Sequence, residues 1–141
     1  MLGGKGAYAS YKKQSVTTLT PIEIVVKLYD ECERQLNRAL FFLDNKDLEN
    51  TNAALMKSID IVGALRSVLD LDLKIGRDLD SLYEYFMREL IEANLKKDKE
   101  KVKTLIPMIG DLKEAFAEIS KMPREQIQLQ AMQNTAAAAA M

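Results

Sequence analysis

Apolar side chains recur along the chain with the spacing of amphipathic helices, in four segments separated by short polar turns. The first segment predicts a helix from Pro21 to about Asp44. Its apolar or small positions lie alternately three and four residues apart, as in a bundle helix; they are Ile22, Val25, Tyr29, Cys32, Leu36, Ala39 and Leu43. Further apolar side chains fall outside this stripe and widen the apolar surface; they are Ile24, Leu28, Leu40 and Phe42.

The residues around Thr20 carry a strong helix-start signal. Thr20 can cap the helix, and Pro21 suits the first helical position because its missing N–H needs no partner there. Glu23 completes a capping box with Thr20. Leu19 and Ile24 occupy the two positions of a hydrophobic staple. The sequence therefore predicts that the first helix begins directly after Thr20.

The same periodicity predicts three more helices. They run from about Asp47 to Leu71, from about Arg77 to Lys97 after a break at Gly76, and from about Lys99 to Lys121. Pro107 lies inside the fourth helix, where a missing backbone donor predicts a kink. Because the links between the helices are short, neighbouring helices should run antiparallel. The expected fold class is all-α, an antiparallel up-down four-helix bundle.

Two terminal segments flank the predicted bundle. Residues 1–19 form a glycine-containing leader, residues 20–122 the helical bundle, and residues 123–141 a tail rich in glutamine and alanine. Alanine is the best helix former, but a short isolated helix is marginal in water. We expect the leader to be flexible and the tail to be partly helical, as a short fifth helix, or disordered.

Charge and residue usage exclude several classes of function. The chain has 20 basic and 21 acidic residues and a net charge of −1, which argues against nucleic acid as a partner and against a polybasic membrane anchor. No run of about 18 apolar residues is present, so no membrane insertion is expected. The N-terminus also lacks the apolar core of a secretory signal. These features predict a cytoplasmic protein.

The missing residue types argue against an enzyme. Histidine is absent and Cys32 is the single cysteine, which excludes Cys/His zinc sites and Cys–His catalytic pairs. Dinuclear metal sites in helical bundles use Glu-x-x-His motifs, which this chain cannot supply. We therefore expect no catalytic residues, no metal and no cofactor, and Cys32 is interpreted as a small core residue.

More apolar surface is present than the core of a four-helix bundle requires. The third helix adds Tyr85, Met87 and Ile91 beside its core stripe, and the fourth adds Ile106 and Met108. Two interpretations remain open from periodicity: a broad core covered by the leader and tail, or a surface that binds a partner. Four polar or aromatic residues also have two possible roles, a structural one and a direct contact with a partner. They are Tyr29, Asp30, Tyr83 and Asn94.

Two blocks of sequence resemble the flagellin-binding export chaperones of the FliS family. The first is "YKKQSVTTLTPIEIVVKLYDECERQLNRA", and its matching residues are Tyr11, Ser15, Val16, Thr18, Thr20, Pro21, Glu23, Leu28, Tyr29, Asp30 and Ala39. The second is "LYEYFMRELIEAN", from Leu82 to Asn94. The departures are mild: Ile24, Glu31, Phe86 and Phe116 replace the usual leucine, glycine, methionine and tryptophan-bearing segment. The glutamine- and alanine-rich tail has no counterpart in the family.

The resemblance implies a cytoplasmic chaperone that binds the disordered C-terminal segment of flagellin, its client. It implies that the chaperone prevents premature polymerisation and delivers flagellin to the flagellar export gate. The free protein is expected to be a monomer or weak homodimer. The alternative is a self-associating structural or adaptor bundle without a flagellin client, in which the extra apolar rows form a homodimer.

The expected client-binding or groove-covering residues combine the leader with the extra apolar rows. In the leader, Tyr8, Tyr11, Val16 and Leu19 are expected to lie over the client groove as a removable cover. The candidates within the helices are Ile24, Leu28, Tyr29, Tyr83, Met87, Ile91 and Asn94.

Overall fold

A computed structural model of the chain describes residues 19–122 and confirms the predicted four-helix bundle. The helices are α1 (Pro21–Asp44), α2 (Leu48–Ser67), α3 (Lys74–Lys96) and α4 (Lys99–Ser120), and the described range contains no strand. Each helix packs on the next, and α4 packs on α1 to close the bundle. The predictions for residues 1–18 and for the tail from residue 123, including a fifth helix, lie outside the described residues.

The predicted start of α1 is confirmed, with one change in its hydrogen bonds. The Glu23 backbone N–H donates to Thr20 Oγ1 over 3.2 Å, and Pro21 occupies the first helical position. The Thr20 hydroxyl donates to the Glu23 carboxylate over 3.2 Å. The Glu23 side chain therefore binds the capping hydroxyl, whereas a capping box predicts that it accepts from the backbone N–H of Thr20.

The predicted limits between the second and third helices are wrong by one turn. α2 ends at Ser67 and not at Leu71, and α3 begins at Lys74 and not at Arg77. Gly76 is therefore a buried residue in the first turn of α3 and not a break before it. The apolar residues after Ser67 continue the helical pattern, which explains why the pattern alone extends α2 too far.

Gly76 allows the connecting loop to fold closely against the start of α3. A Cβ atom on Gly76 would lie 1.9 Å from the backbone oxygen of Asp70, so only glycine fits there. The Asp70 carboxylate accepts from the backbone N–H of Asp72 over 3.0 Å, and the Arg77 guanidinium donates to the backbone oxygens of Leu71 and Asp72. These bonds hold the loop against the N-terminus of α3, where the N-cap residue Leu73 makes no side-chain hydrogen bond.

Pro107 does not interrupt α4, which continues from Lys99 to Ser120. Pro107 is exposed, and so is Lys103, one turn earlier. The Lys103 carbonyl that the proline leaves without a helical donor lies on the exposed side of the helix, where water can reach it.

The core is formed by the predicted stripes of all four helices. At its centre the hydroxyls of Tyr29 and Tyr83 form a hydrogen bond between α1 and α3. The Tyr29 ring stacks on Phe116 of α4, with ring centroids 5.5 Å apart. Cys32 is buried in the same core, as the sequence predicts. The core therefore links diagonal helices as well as neighbours.

Candidate functional site

An apolar strip lies along the seam between α2 and α3, and we call it the α2/α3 face. Asn94 of α3 donates to Asn52 of α2 over 2.8 Å, and Arg66 Nε of α2 donates to Asp80 of α3 over 2.6 Å. Helical spacing of three and four residues from these contacts defines the rest of the face. Its residues are Asn52, Met56, Ile59, Gly63 and Arg66 on α2, and Asp80, Glu84, Met87, Ile91 and Asn94 on α3.

The two polar contacts bound an apolar stretch about four turns long. Each helix advances by fourteen residues between them, from Asn52 to Arg66 and from Asp80 to Asn94. At 1.5 Å per residue this corresponds to about 21 Å. The face can therefore accommodate four turns of another helix between two polar ends.

The middle of the α2/α3 face is apolar and partly open to solvent. Met56 is 45% exposed and Ile91 is 46% exposed. Ile59 and Met87 are half-buried and pack against the core from the same face. Methionine adapts its shape to varied partners, so two methionines on one exposed strip favour protein binding over a structural role.

Gly63 leaves a gap in the side chains of this face. A Cβ atom built on Gly63 would have no heavy atom within 4 Å apart from its own helix. Gly63 lies one turn from Ile59 and three residues before Arg66, on the flank of α2 that faces α3. The face therefore has open space at Gly63, between its apolar middle and the Arg66 end.

The two ends of the face are polar in different ways. Arg66 lies between two carboxylates, 2.6 Å from Asp80 and 3.9 Å from Glu84, and the hydrogen bond with Asp80 raises the pKa of its guanidinium. At the other end the Lys97 ammonium donates to the Asn94 side-chain oxygen over 2.6 Å. The first end is acidic overall, and the second is formed by amides and a lysine.

A second apolar surface lies at the end of the bundle where α1 and α3 begin and α2 and α4 end; we call it the bundle-end groove. It encloses about 180 Å³. Its lining residues are Val25, Leu65, Val68, Leu69, Asp70, Leu73, Ile75, Gly76, Leu79, Tyr83 and Phe116. Val68 is 71% exposed at its rim. Residues 19 and 122 adjoin the helix ends on this side of the bundle.

A further cavity of about 250 Å³ lies at the seam of α3 and α4 and is lined mainly by polar and charged residues. Lys101 bridges this seam, 2.7 Å from Glu89 and 3.5 Å from Glu92. The hydrogen bond with Glu89 raises the pKa of the Lys101 ammonium. This internally paired charge distribution does not provide an apolar docking site.

The central tyrosines lie within the core. Tyr29 is 0% exposed and Tyr83 is 2% exposed. Burial is the main reason that the pKa of both phenols is raised, and their mutual hydrogen bond raises the pKa of Tyr29 further. Both tyrosines therefore remain neutral at physiological pH and satisfy each other's hydroxyl group.

The structure distributes the predicted site residues over several regions. Met87, Ile91 and Asn94 lie together on the α2/α3 face. Ile24 is exposed and Leu28 half-buried on the flank of α1 that faces α2, away from the flank that binds Lys113 of α4. Leu19 is half-buried. The remaining predicted residues, Tyr8, Tyr11 and Val16, lie outside the described residues.

Sequence reasoning did not identify the α2 side of the face. By the register that the Asn52–Asn94 and Arg66–Asp80 contacts set, Met56 and Gly63 lie on the flank of α2 beside Met87 and Ile91. A glycine inside a helical pattern is a signal for a special packing requirement, which Gly63 could have provided. Within residues 19–122, no cluster of three or more potential metal-binding side chains was found, and no helix is long and apolar enough to cross a membrane.

Comparisons with known proteins point to one family. The family model described as "Flagellar protein FliS" matches residues 4–123. A flagellar secretion chaperone FliS of Salmonella typhimurium is 31% identical over 121 residues, which cover 83% of this chain and 90% of the relative. A protein of the same name from Bacillus subtilis is 27% identical, over 84% of this chain and 89% of the relative. Another from Escherichia coli is 29% identical, over 82% of this chain and 88% of the relative.

Proposed function

The chain belongs to the FliS family of flagellar proteins, and on that premise we propose that it is a cytoplasmic export chaperone for flagellin. In this proposal it binds the C-terminal segment of flagellin, prevents premature polymerisation and delivers the client to the flagellar export gate. The names of the relatives support the chaperone role. The structural observation that carries the proposal is the exposed apolar strip of the α2/α3 face.

The α2/α3 face has suitable dimensions and chemistry for a helical segment of the client. An amphipathic helix binds a groove through apolar residues at helical spacing, and the apolar stretch here is about four turns long. Folding of a disordered segment on binding buries on the order of 1,000–3,000 Å² and costs roughly 2–5 kcal/mol in ordering. A segment that folds on Met87 and Ile91 would bury apolar positions that otherwise drive its self-association.

The wider client path includes the flank of α1 beside α2. Ile24 is 44% exposed there, and Leu28 lies one turn further along the same flank. Together with the α2/α3 face, this gives two neighbouring apolar strips on opposite sides of α2. We propose that a client with more than one amphipathic helix wraps around α2 and uses both strips.

We further propose that the client path extends into the bundle-end groove and that the leader covers this groove when no client is bound. Thr20 joins the leader to α1 at this end, and Asp70 lines the groove with Asp72 exposed nearby. Lys12 and Lys13 of the leader complement that acidic rim. The tyrosines at positions 8 and 11 would supply apolar contact area, and a weakly held cover would lower client affinity only modestly.

Calorimetric titration tests the client proposal directly. The probe is a peptide of the C-terminal segment of the flagellin encoded in the same genome. We expect one-to-one binding that is strongly weakened by Ile91→Asp or Met87→Asp, because the bound client would bury the new carboxylate against the apolar middle of the α2/α3 face. Phe41→Asp is the matched control, because Phe41 is 62% exposed on α1 outside both apolar strips. Equal effects of Ile91→Asp and Phe41→Asp would rule out the face as the binding site.

Deletion of residues 2–18 tests the cover. Exposure of the bundle-end groove should increase the fluorescence of a dye that binds apolar surface in the free protein. Val68→Ser should reduce the extra signal of the deleted chain, because Val68 forms the most exposed part of the rim. Unchanged dye binding together with lower flagellin affinity would instead make the leader part of the client site.

Sedimentation at several concentrations separates the chaperone from the self-associating alternative. A chaperone should be a monomer or weak homodimer when free and should form a one-to-one complex with the peptide. A stable homodimer that is lost with Ile91→Asp and that does not bind the peptide would support the structural or adaptor bundle.

A further inference from the structure

The α2/α3 face has one position at which a helix contributes no side chain. Gly63 is half-buried, and nothing within 4 Å would oppose a Cβ atom there. The close approach found at Gly76 is therefore absent at Gly63, and the packing of α2 does not require a glycine at this position. A glycine also weakens a helix interior relative to alanine. The bundle itself gains nothing evident from this residue.

The surroundings of Gly63 define the chemistry of the gap. Ile59 precedes it by one turn on the same flank, and the register set by the Asn52–Asn94 and Arg66–Asp80 contacts brings Glu84 and Met87 of α3 to the opposite side. Arg66 closes the far side of the gap, where it is held by Asp80. The gap is therefore flanked by the apolar Ile59 and Met87 toward the middle of the face, and by the charged Arg66 and Glu84 at the other end.

We propose that Gly63 forms a socket for one bulky apolar side chain of the client helix. This inference rests on the proposed client binding and names the residue that determines which client side chain anchors it. A leucine, isoleucine, methionine or phenylalanine would fill the gap, contact Ile59 and Met87, and leave the Arg66 ion pair in place. A polar or small side chain at that client position would leave apolar surface exposed to water.

Two substitutions that each introduce a leucine test the socket. Gly63→Leu fills the gap with the chaperone's own side chain, whereas Ala115→Leu adds a leucine at an exposed position of α4, away from both proposed client strips. Gly63→Leu should retain the melting temperature of the wild type or raise it, since leucine favours a helix over glycine. Its affinity for the flagellin peptide should fall by about tenfold or more, while Ala115→Leu should remain within about twofold.

A double-mutant cycle identifies the client side chain that enters the socket. Each apolar residue of the peptide is replaced by alanine and titrated against the wild type and Gly63→Leu. One replacement should weaken binding to the wild type by about tenfold but have almost no effect on binding to Gly63→Leu. If every replacement weakens both proteins by the same factor, no peptide side chain occupies the socket and the proposal is wrong.

The outcomes distinguish this inference from the proposed function. A wild-type chain that does not bind the peptide overturns both proposals. A Gly63→Leu chain that binds as tightly as the wild type overturns the socket alone. If Gly63→Leu were to lose its fold, Gly63→Ala would provide the same test with a smaller expected loss of affinity, since one methyl group fills only part of the gap.

Discussion

Gly76 and Gly63 lie on adjacent helices of the same pair, and they are glycines for opposite reasons. At Gly76 the backbone of Asp70 occupies the space that a Cβ atom would need, at a distance of 1.9 Å. At Gly63 the same space is empty. The connection from Asp70 to Gly76, which we call the closed end of the α2/α3 pair, therefore requires glycine for folding. The α2/α3 face, which we also call the open face, tolerates a larger residue at Gly63.

The comparison separates stability from binding within one pair of helices. The closed end is held by backbone contacts that no client can replace, because the loop from Asp70 packs on α3 itself. The open face has Met56 and Ile91 nearly half exposed, so its apolar area contributes little to the core. Substitutions at the first site should change the free energy of unfolding, and substitutions at the second should change affinity.

The largest expected difference is between alanine substitutions at the two glycines. Gly76→Ala should reduce the free energy of unfolding by about 3 kcal/mol, because the loop must move away from α3. Gly63→Ala should increase it by about 0.5–1 kcal/mol, because alanine is the better helix former and meets no obstacle. Urea denaturation of both variants measures the contrast. Changes of the same sign would mean that the two backbone environments do not differ as described.

The buried Tyr29–Tyr83 pair should contribute to the free energy of unfolding on a scale similar to that of Gly76. Tyr29→Phe should cost about 1–3 kcal/mol, because the Tyr83 hydroxyl is left buried without a partner. Replacing both tyrosines by phenylalanine should cost less than the sum of the single changes, since neither hydroxyl then remains unpaired. Strictly additive costs in urea denaturation would show that the two hydroxyls do not depend on each other.

Alkaline pH should destabilise the core through its buried acids. Burial, with a smaller contribution from the Glu33 carboxylate, raises the pKa of the Cys32 thiol to about 12. The unfolded chain releases this proton near pH 8.5, so stability is fully present below about pH 8.5 and falls by about 1.4 kcal/mol per pH unit until the pH reaches the folded value. The raised pKa values of Tyr29 and Tyr83 act in the same direction above about pH 10.

Denaturation midpoints between pH 8 and pH 11 measure this dependence. Cys32→Ala should remove the decline between about pH 8.5 and 10 and leave the later decline that belongs to the tyrosines. An identical pH dependence in Cys32→Ala and the wild type would show that the thiol is not the group that titrates.

The smallest expected effect is at the edge of the open face. Asn94→Ala removes the hydrogen bond to Asn52 and one acceptor of Lys97. Because the contact with Asn52 is exposed and that with Lys97 is only partly buried, water can replace both, and the free energy of unfolding should fall by less than about 1 kcal/mol. A loss of about 2 kcal/mol or more in thermal denaturation would make the face part of the structural core and weaken its distinction from the closed end.

Helical periodicity predicted much of the fold because each helix buries one stripe of its own residues. The α1 stripe of Tyr29, Cys32, Leu36 and Ala39 is buried as expected. The limits of the α2–α3 connection were not predicted correctly, since Val68 and Leu71 continue an apolar pattern although both are exposed. The pattern records which residues are apolar and not which of them are buried.

The candidate site was only partly accessible to sequence reasoning. The pattern of α3 marks Met87 and Ile91 as additional apolar residues, and the family resemblance adds Asn94. Their partners on α2, Met56 and Gly63, became evident only from the register of the two helices. Periodicity within one helix contains no information about which flank lies beside which neighbour.

The sequence by itself determined the helix stripes, the capped start at Thr20 and the all-α fold, because these depend on contacts within a few residues or on burial of one face. Only the tertiary structure decided that Tyr29 and Tyr83 meet in the core and that the two glycines have opposite surroundings. Those features depend on atoms far apart along the chain, whose distances are set by how the helices pack together. The α2/α3 face is therefore a property of the assembled bundle and of no single segment.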